Sequence, residues 1–132
     1  MMEQLYTDKK YWHNYYKYAR ITKNDIISIC KPYDKYWDIL INSCKYKPTN
    51  ILEVGANPGR FISYISSKYN LIPTALDYNP NKEKIEQSFK RMDVNQYEII
   101  IDDITDYKPE KKFDLIISMG VIEHFEDYNK IF

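Results

Sequence analysis

The feature that most constrains the fold is a change of hydrophobic period at Asn50. A short apolar run ends at Gly55, and after the next loop the apolar residues repeat as one face of a helix, at Phe61, Ile62, Ile65 and Tyr69. Further apolar runs of strand length occupy residues 71–77, 98–103 and 113–119. Strands that alternate with helices predict a doubly wound, mainly parallel α/β sheet, because right-handed crossovers place helices on both faces.

The first part of the chain has a helical pattern and no strand pattern. Its clearest helix has an apolar stripe that we expect to lie on the sheet, formed by Tyr33, Tyr36, Trp37, Leu40, Ile41 and Cys44. We therefore predict an amino-terminal helical lead-in or lid at residues 1–48 and an α/β core at residues 49–132. Within the core, a helix that begins at Asn79 and Pro80 should bury Ile85, Phe89 and Met92.

Composition and charge narrow the range of functions. The 132-residue chain is 44% apolar and 29% charged, which is typical of one soluble globular domain. Its 19 basic and 19 acidic side chains cancel, so charge gives no support for nucleic-acid binding. Cys30 and Cys44 lack the spacing of a metal site or structural disulfide, and no metal is expected. Since no apolar run reaches the length of a membrane span and no leader follows Met1, we expect a cytoplasmic protein without membrane contact.

The chain has only three glycines, and each comes at or just after the end of a predicted strand. Gly55 and Gly59 lie after the first strand, and Gly120 lies after the fourth. Ligands of open α/β sheets bind outside the carboxyl ends of the strands, where glycine lets the backbone approach a ligand or take a positive φ. Ordinary turns explain one or two such glycines better than all three, so we interpret this edge as a ligand site.

Acidic residues mark the same edge of the predicted sheet. Glu53 interrupts an apolar strand, where a buried carboxylate needs a hydrogen-bond donor. Asp77 ends the second strand, where a carboxylate can accept both hydroxyls of a ribose, although capping or a turn explains such a residue equally well. Asp102 and Asp103 end the third strand, and we favour Asp103 as the acceptor of an adenine amino hydrogen over a purely solubilising role.

Four segments, in order along residues 50–128, resemble the motifs of class I S-adenosylmethionine-dependent methyltransferases. Residues 51–61 match the glycine-rich first motif, and residues 76–80 match the second motif with its ribose-binding acid. Residues 101–104 match the adenine-contacting third motif, and residues 113–125 match the fourth strand with its turn. The resemblance implies a Rossmann-like fold, S-adenosylmethionine as the cofactor and S-adenosylhomocysteine as the product. It also implies methyl transfer to a nucleophilic acceptor.

The resemblance assigns a role to each matched residue. The first loop would wrap the methionine part of the cofactor, with the strand acid supporting that loop or binding the amino group. The second motif would hold the ribose and pack on the adenine, the third would flank the base, and the fourth-strand turn would contact the amino-acid end. The residues with these roles are Glu53, Gly55, Ala56, Asn57 and Gly59; Asp77 and Tyr78; Asp103 and Ile104; and Met119 and Gly120.

The chain departs from the family pattern in two places. Asn57 and Pro58 stand where the family more often has glycine and a small residue, and asparagine tolerates the left-handed conformation that such a loop needs. The family completes seven strands, whereas this chain ends just after its fourth, so we expect a truncated, incomplete fold. We also expect self-association or a partner chain to cover the edge of the fourth strand.

The function predicted from these residues is methyl transfer to an unidentified acceptor, most simply a small molecule, because no basic groove indicates nucleic acid. His124 is the candidate general base, with local packing as the favoured alternative. A catalytically inactive, methyltransferase-like partner or regulatory subunit is the competing prediction. A nicotinamide-binding protein is disfavoured, because Asn57 stands where its fingerprint requires glycine.

Overall fold

The computed structural model describes residues 17–119 as four helices longer than one turn and four strands. The elements, in chain order, are α1 (Lys23–Cys30), a 3₁₀ turn (Lys31–Tyr33), α2 (Asp34–Asn42), β1 (Asn50–Val54), α3 (Arg60–Tyr69), β2 (Ile72–Asp77), α4 (Glu83–Arg91), β3 (Glu98–Ile101) and β4 (Leu115–Ser118). The alternation of strands and helices after Asn50 confirms the predicted α/β class.

The four strands form one parallel sheet in the order β3-β2-β1-β4. In its register, Val54 of β1 lies opposite both Leu76 of β2 and Ser118 of β4, and Asp77 lies opposite Ile101 of β3. All four strands therefore end at the same edge. Among the described residues β4 pairs only with β1, and the pairing of its other edge with a second copy or a partner chain stays a prediction.

The core occupies both faces of the central strands, as expected for a parallel sheet. On one face, helix α3 packs against β1 and β2, helices α1 and α4 pack on α3 in the same core cluster, and Ile85, Phe89 and Met92 are buried as predicted. The helices before β1 contribute Ile26 and Cys30 to this same cluster. None of the helices in the described part of the chain has the length and apolarity that a bilayer crossing requires.

Helix α4 begins later than the sequence predicted. It starts at Glu83, and not at Asn79 and Pro80. The side-chain oxygen of Asn79 accepts a hydrogen bond from the Asn81 amide at 2.9 Å, and that of Asn81 accepts one from the Glu83 amide at 3.0 Å. These two local turns satisfy the backbone before the helix, which is why the helix is delayed.

The prediction that the apolar stripe of α2 lies on the sheet is wrong. Its one buried residue, Trp37, contacts Phe61 of α3 with ring centroids 6.3 Å apart. The Tyr64 hydroxyl of α3 donates a 2.7 Å hydrogen bond to Asp34, and Lys68 forms an ion pair with the same carboxylate. Helix α2 therefore forms an outer layer on α3, and the remaining aromatic residues of its stripe stay exposed.

Gly59 begins helix α3 with a left-handed backbone, at φ 92°. A Cβ atom built on Gly59 would lie 3.2 Å from the backbone Cα of Ile85 and 3.3 Å from Cβ of Ser88 in helix α4. Glycine is required here for two reasons, the positive φ and the close approach of the two helices.

Replacing Gly59 with alanine should therefore lower the free energy of unfolding by about 1 to 2 kcal/mol from the backbone strain alone. Urea denaturation measures the change. Asn70→Gly is the matched control, because Asn70 ends the same helix at φ 55° and glycine relieves strain at such a position. Equal stability of the Gly59→Ala and wild-type chains would contradict this account of the helix start.

Glu53 is an acid buried in the middle of β1, with 2% of its surface exposed. Its carboxylate accepts a 3.2 Å hydrogen bond from the amide of Ile62 in the first turn of α3. Burial raises the pKa of Glu53 well above 4.5, opposed by the Ile62 hydrogen bond and reinforced by the nearby Asp77 carboxylate. The folded chain thus holds the Glu53 proton more tightly than the unfolded chain does.

Because the folded pKa is raised, Glu53 should lower the stability as the pH rises above about 4.5, the ordinary value. Glu53→Gln keeps an acceptor for Ile62 and removes the charge, so its gain in unfolding free energy over the wild type should grow between pH 5 and pH 8. Relative to Glu53→Gln, Glu53→Leu leaves the Ile62 amide unpaired and should lower the free energy of unfolding by about 1 to 3 kcal/mol at every pH, because neither variant titrates at this position. If the difference in unfolding free energy between the wild type and Glu53→Gln does not change with pH, the raised pKa of Glu53 is contradicted.

Candidate functional site

The loop between β1 and α3 folds over the carboxyl end of β2. The amides of Gly55 and Ala56 both donate to the Leu76 carbonyl, at 2.7 and 3.0 Å. Gly55 has a φ of 73°, and Ala56 and Asn57 are buried. Asn57 is not among the residues of positive φ, so the left-handed tolerance expected of it is not needed. The two glycines carry that conformation in its place.

Asp77, at the end of β2, lies between two loops. One carboxylate oxygen accepts a hydrogen bond from the Asn57 amide and the other accepts one from the Asn79 amide, both at 2.9 Å. Burial raises the pKa of Asp77, and the backbone amides of Asn79, Asn57 and Tyr78 partly oppose this effect. A carboxylate has about four acceptor sites, so Asp77 can accept a further donor besides these amides. Tyr78 follows at the edge and is half-buried.

The third motif adjoins Asp77 through the backbone. The Asp102 amide donates a 3.0 Å hydrogen bond to the Asp77 carbonyl. Asp103 is buried, and one of its carboxylate oxygens accepts hydrogen bonds from the amide and the hydroxyl of Thr105, at 2.8 and 2.7 Å. Ile104 packs against the second core cluster, formed by Leu52, Val54 and Leu76.

The fourth strand brings Met119 to the same edge. Met119 is half-buried and packs on the main core cluster. The hydroxyl of Ser118, directly before it, is buried and has no hydrogen-bond partner within residues 17–119. Gly120 and His124, predicted as a cofactor contact and a weak catalytic base, lie outside the described residues.

The fold therefore brings most of the predicted site residues to one edge of the sheet. One exception is Glu53, whose carboxylate is directed to the start of helix α3. Among its two predicted roles, this geometry favours support of the loop over contact with a ligand. Gly59 likewise lies at the helix junction.

Sequence reasoning missed Asn79 and Asn81 as members of this edge. Asn79 is 2% exposed, and both residues join Asn57 in lining a cavity of about 360 Å³. Asn79 follows Asp77 by two residues, and Asn81 follows Asn79 by two. This spacing is typical of successive Asx turns and could be recognised in the sequence.

The polar groups at this edge indicate the chemistry of a ligand. The Asp77 and Asp103 carboxylates, the Ser118 hydroxyl and the Asn57 side-chain oxygen can all accept hydrogen bonds, and the last has no partner within residues 17–119. In that same span no group of three or more histidine, cysteine or acidic side chains is arranged to hold a metal. The edge therefore fits an organic ligand with hydroxyl and amino donors, as a nucleoside joined to an amino acid has.

Comparison with known proteins places the chain among methyltransferases. Malonyl-[acyl-carrier protein] O-methyltransferase 1 of Ilyobacter polytropus is 28% identical over 127 residues, which cover 95% of this chain and 46% of that protein. Pavine N-methyltransferase of Thalictrum flavum is 28% identical over 81 residues, 60% of this chain and 23% of that protein. The chain thus spans less than half the length of these relatives.

A solved structure shows the same fold. Coclaurine N-methyltransferase bound to N-methylheliamine and SAH superposes with a TM-score of 0.61 at 22% identity, over 74% of this chain and 30% of that one. The four-stranded parallel sheet is thus part of a Rossmann-like methyltransferase fold. The family model described as a methyltransferase domain matches residues 18–132, and the chain belongs to that family.

Proposed function

We propose that this chain binds S-adenosylmethionine at the carboxyl edge of its sheet and that the complete protein transfers the methyl group to a small-molecule acceptor. The observation that carries the proposal is the convergence of the Gly55 loop, Asp77 and Asp103 at one edge, where buried acceptors suit a ligand rich in donors. Membership of the methyltransferase-domain family supports it. The structural relative bound to SAH supports the choice of cofactor.

Each part of the cofactor has a matching group on this chain. Asp77 would accept the ribose hydroxyls through its remaining lone pairs, and Tyr78 would pack on the adenine. Asp103, with Ile104 beside it, would accept the adenine amino hydrogen. The methionine end would lie along the backbone of the Gly55 loop, as far as Met119 and Gly120 of the fourth-strand turn. These assignments rest on the resemblance to the family motifs, and the positions of the described residues at the edge of the sheet support them.

The described residues of the chain bind and orient, and we assign none of them a covalent role. When bound, S-adenosylmethionine supplies an electrophilic methyl group on a sulfonium, and S-adenosylhomocysteine is the leaving product. The loops that are hydrogen-bonded to Asp77 would hold that methyl in one position toward the acceptor. Fixing two reactants in this way contributes about 7 to 11 kcal/mol in intramolecular reactions. His124 remains the candidate base for an acceptor that must lose a proton.

We propose a small molecule as acceptor because two methyltransferases like this chain carry small molecules in their names, pavine and coclaurine. Equal numbers of basic and acidic residues also give no field that would attract a nucleic-acid backbone. We propose the cytoplasm as the compartment, because Cys30 and Cys44 are both free thiols, the form that a reducing environment maintains.

Calorimetric titration with S-adenosylhomocysteine tests the cofactor site. The wild-type chain should bind saturably with one site, and Asp77→Ala should weaken binding about 10- to 100-fold, the loss expected for a hydrogen bond to a charged group. Asp77 also holds two backbone amides, so a matched control is needed.

Asp114→Ala provides that control. Asp114 accepts hydrogen bonds from the backbone amides of Thr49 and Asn50, much as Asp77 accepts them, but at the opposite edge of the sheet. Its loss should leave the affinity for S-adenosylhomocysteine unchanged. A folded wild-type chain that does not bind, or equal affinities of the wild-type and Asp77→Ala chains, would refute the proposed site.

A further inference from the structure

The hydrogen bonds around Asp77 form a closed ring. The Asn79 amide donates to one Asp77 carboxylate oxygen, and the Asn79 side-chain oxygen accepts from the Asn81 amide, both at 2.9 Å. The Asn81 carbonyl accepts from the side-chain amide of Asn57 at 3.1 Å. The backbone amide of Asn57 donates to the other Asp77 oxygen at 2.9 Å. The ring thus starts and ends on one carboxylate.

Only one link of this ring has a side-chain donor. Backbone amides supply the other three links, whereas the side-chain amide of Asn57 joins the β1–α3 loop to the β2–α4 loop. Asn57 is 4% exposed, so its side chain is largely shielded from bulk water. The ring therefore depends on the identity of residue 57.

The rest of the Asn57 side chain indicates that stability alone does not account for it. Its carbonyl oxygen is buried and has no hydrogen-bond partner among the described residues. A buried acceptor without a partner costs about 1 to 3 kcal/mol, which glycine at this position would avoid. The unpaired oxygen of Asn57 therefore offsets part of the stability that its side-chain amide contributes. This is expected of a residue that serves the site and not stability alone.

We propose that Asn57 is a positioning residue, whose side-chain amide closes the ring and so keeps the Asn57 backbone amide on Asp77. The ring holds the Asp77 carboxylate in one orientation before the ligand arrives. This inference rests on the proposed function, in which Asp77 receives the ribose. Asparagine thus replaces the usual glycine with a residue that orients the acid of the second motif.

The pH titration of the residue 57 amide proton, followed by nuclear magnetic resonance, tests the ring without any ligand. An amide that donates to a carboxylate shifts as that carboxylate loses its proton, so the wild-type signal should follow the titration of Asp77. In Asn57→Ala that response should be lost. The dissociation constant for S-adenosylhomocysteine should rise about tenfold, equivalent to ~1.4 kcal/mol.

Two further variants separate positioning from a general loss of structure. Asn79→Ala breaks the ring at another link and should reproduce both effects. Ser88→Ala removes a different buried side-chain donor to the same loop, the 2.7 Å bond to the Pro58 carbonyl, and lies outside the ring. It should lower the thermal stability and leave the titration of the residue 57 amide intact.

The outcomes distinguish this inference from the proposed function. If folded Asn57→Ala keeps both the amide titration and wild-type affinity, the positioning role is overturned while the cofactor site stands. If the wild-type chain shows the titration but does not bind S-adenosylhomocysteine, the proposed function is overturned, and with it the assignment of the ring to a ribose. Loss of the titration in Ser88→Ala as well would reduce Asn57 to a structural residue.

Discussion

The buried carboxylate of Asp77 is the interaction on which the candidate site depends. It ends β2 at the edge where β1, β3 and β4 also end, and it accepts hydrogen bonds from backbone amides of both loops that follow β1 and β2. Its own carbonyl accepts the amide of Asp102 after β3. Three loops from distant parts of the chain are thus arranged around a single residue.

A second buried acid, Glu53, lies in the middle of β1, close to Asp77. Burying a carboxylate is costly unless donors compensate it, and the nearby Asp77 carboxylate further raises the pKa of Glu53. Glu53 has one backbone donor and Asp77 has several, which matches their different roles. Glu53 fixes the start of helix α3, and Asp77 remains available to a ligand.

The elements of the fold could be predicted from the sequence because apolar periodicity reports burial. The four strands and the inward face of α4 follow from it directly. Periodicity indicates which face of a helix is apolar but not which element covers that face. The prediction that the apolar stripe of α2 lies on the sheet is therefore wrong, because Trp37 in that stripe contacts helix α3. The ring around Asp77 could not be predicted either, because Asn57 meets Asn81 only once β1 and β2 are paired in register.

The most direct test of the central claim, that the carboxyl edge of the sheet is the cofactor site, is to map backbone amide shifts on titration with S-adenosylhomocysteine. The account predicts saturable changes that cluster after the ends of the four strands, at residues 55–57, 77–79, 103–104 and 119. Changes confined to the opposite edge, around Thr49 and Asp114, or no changes in a folded chain, would contradict it.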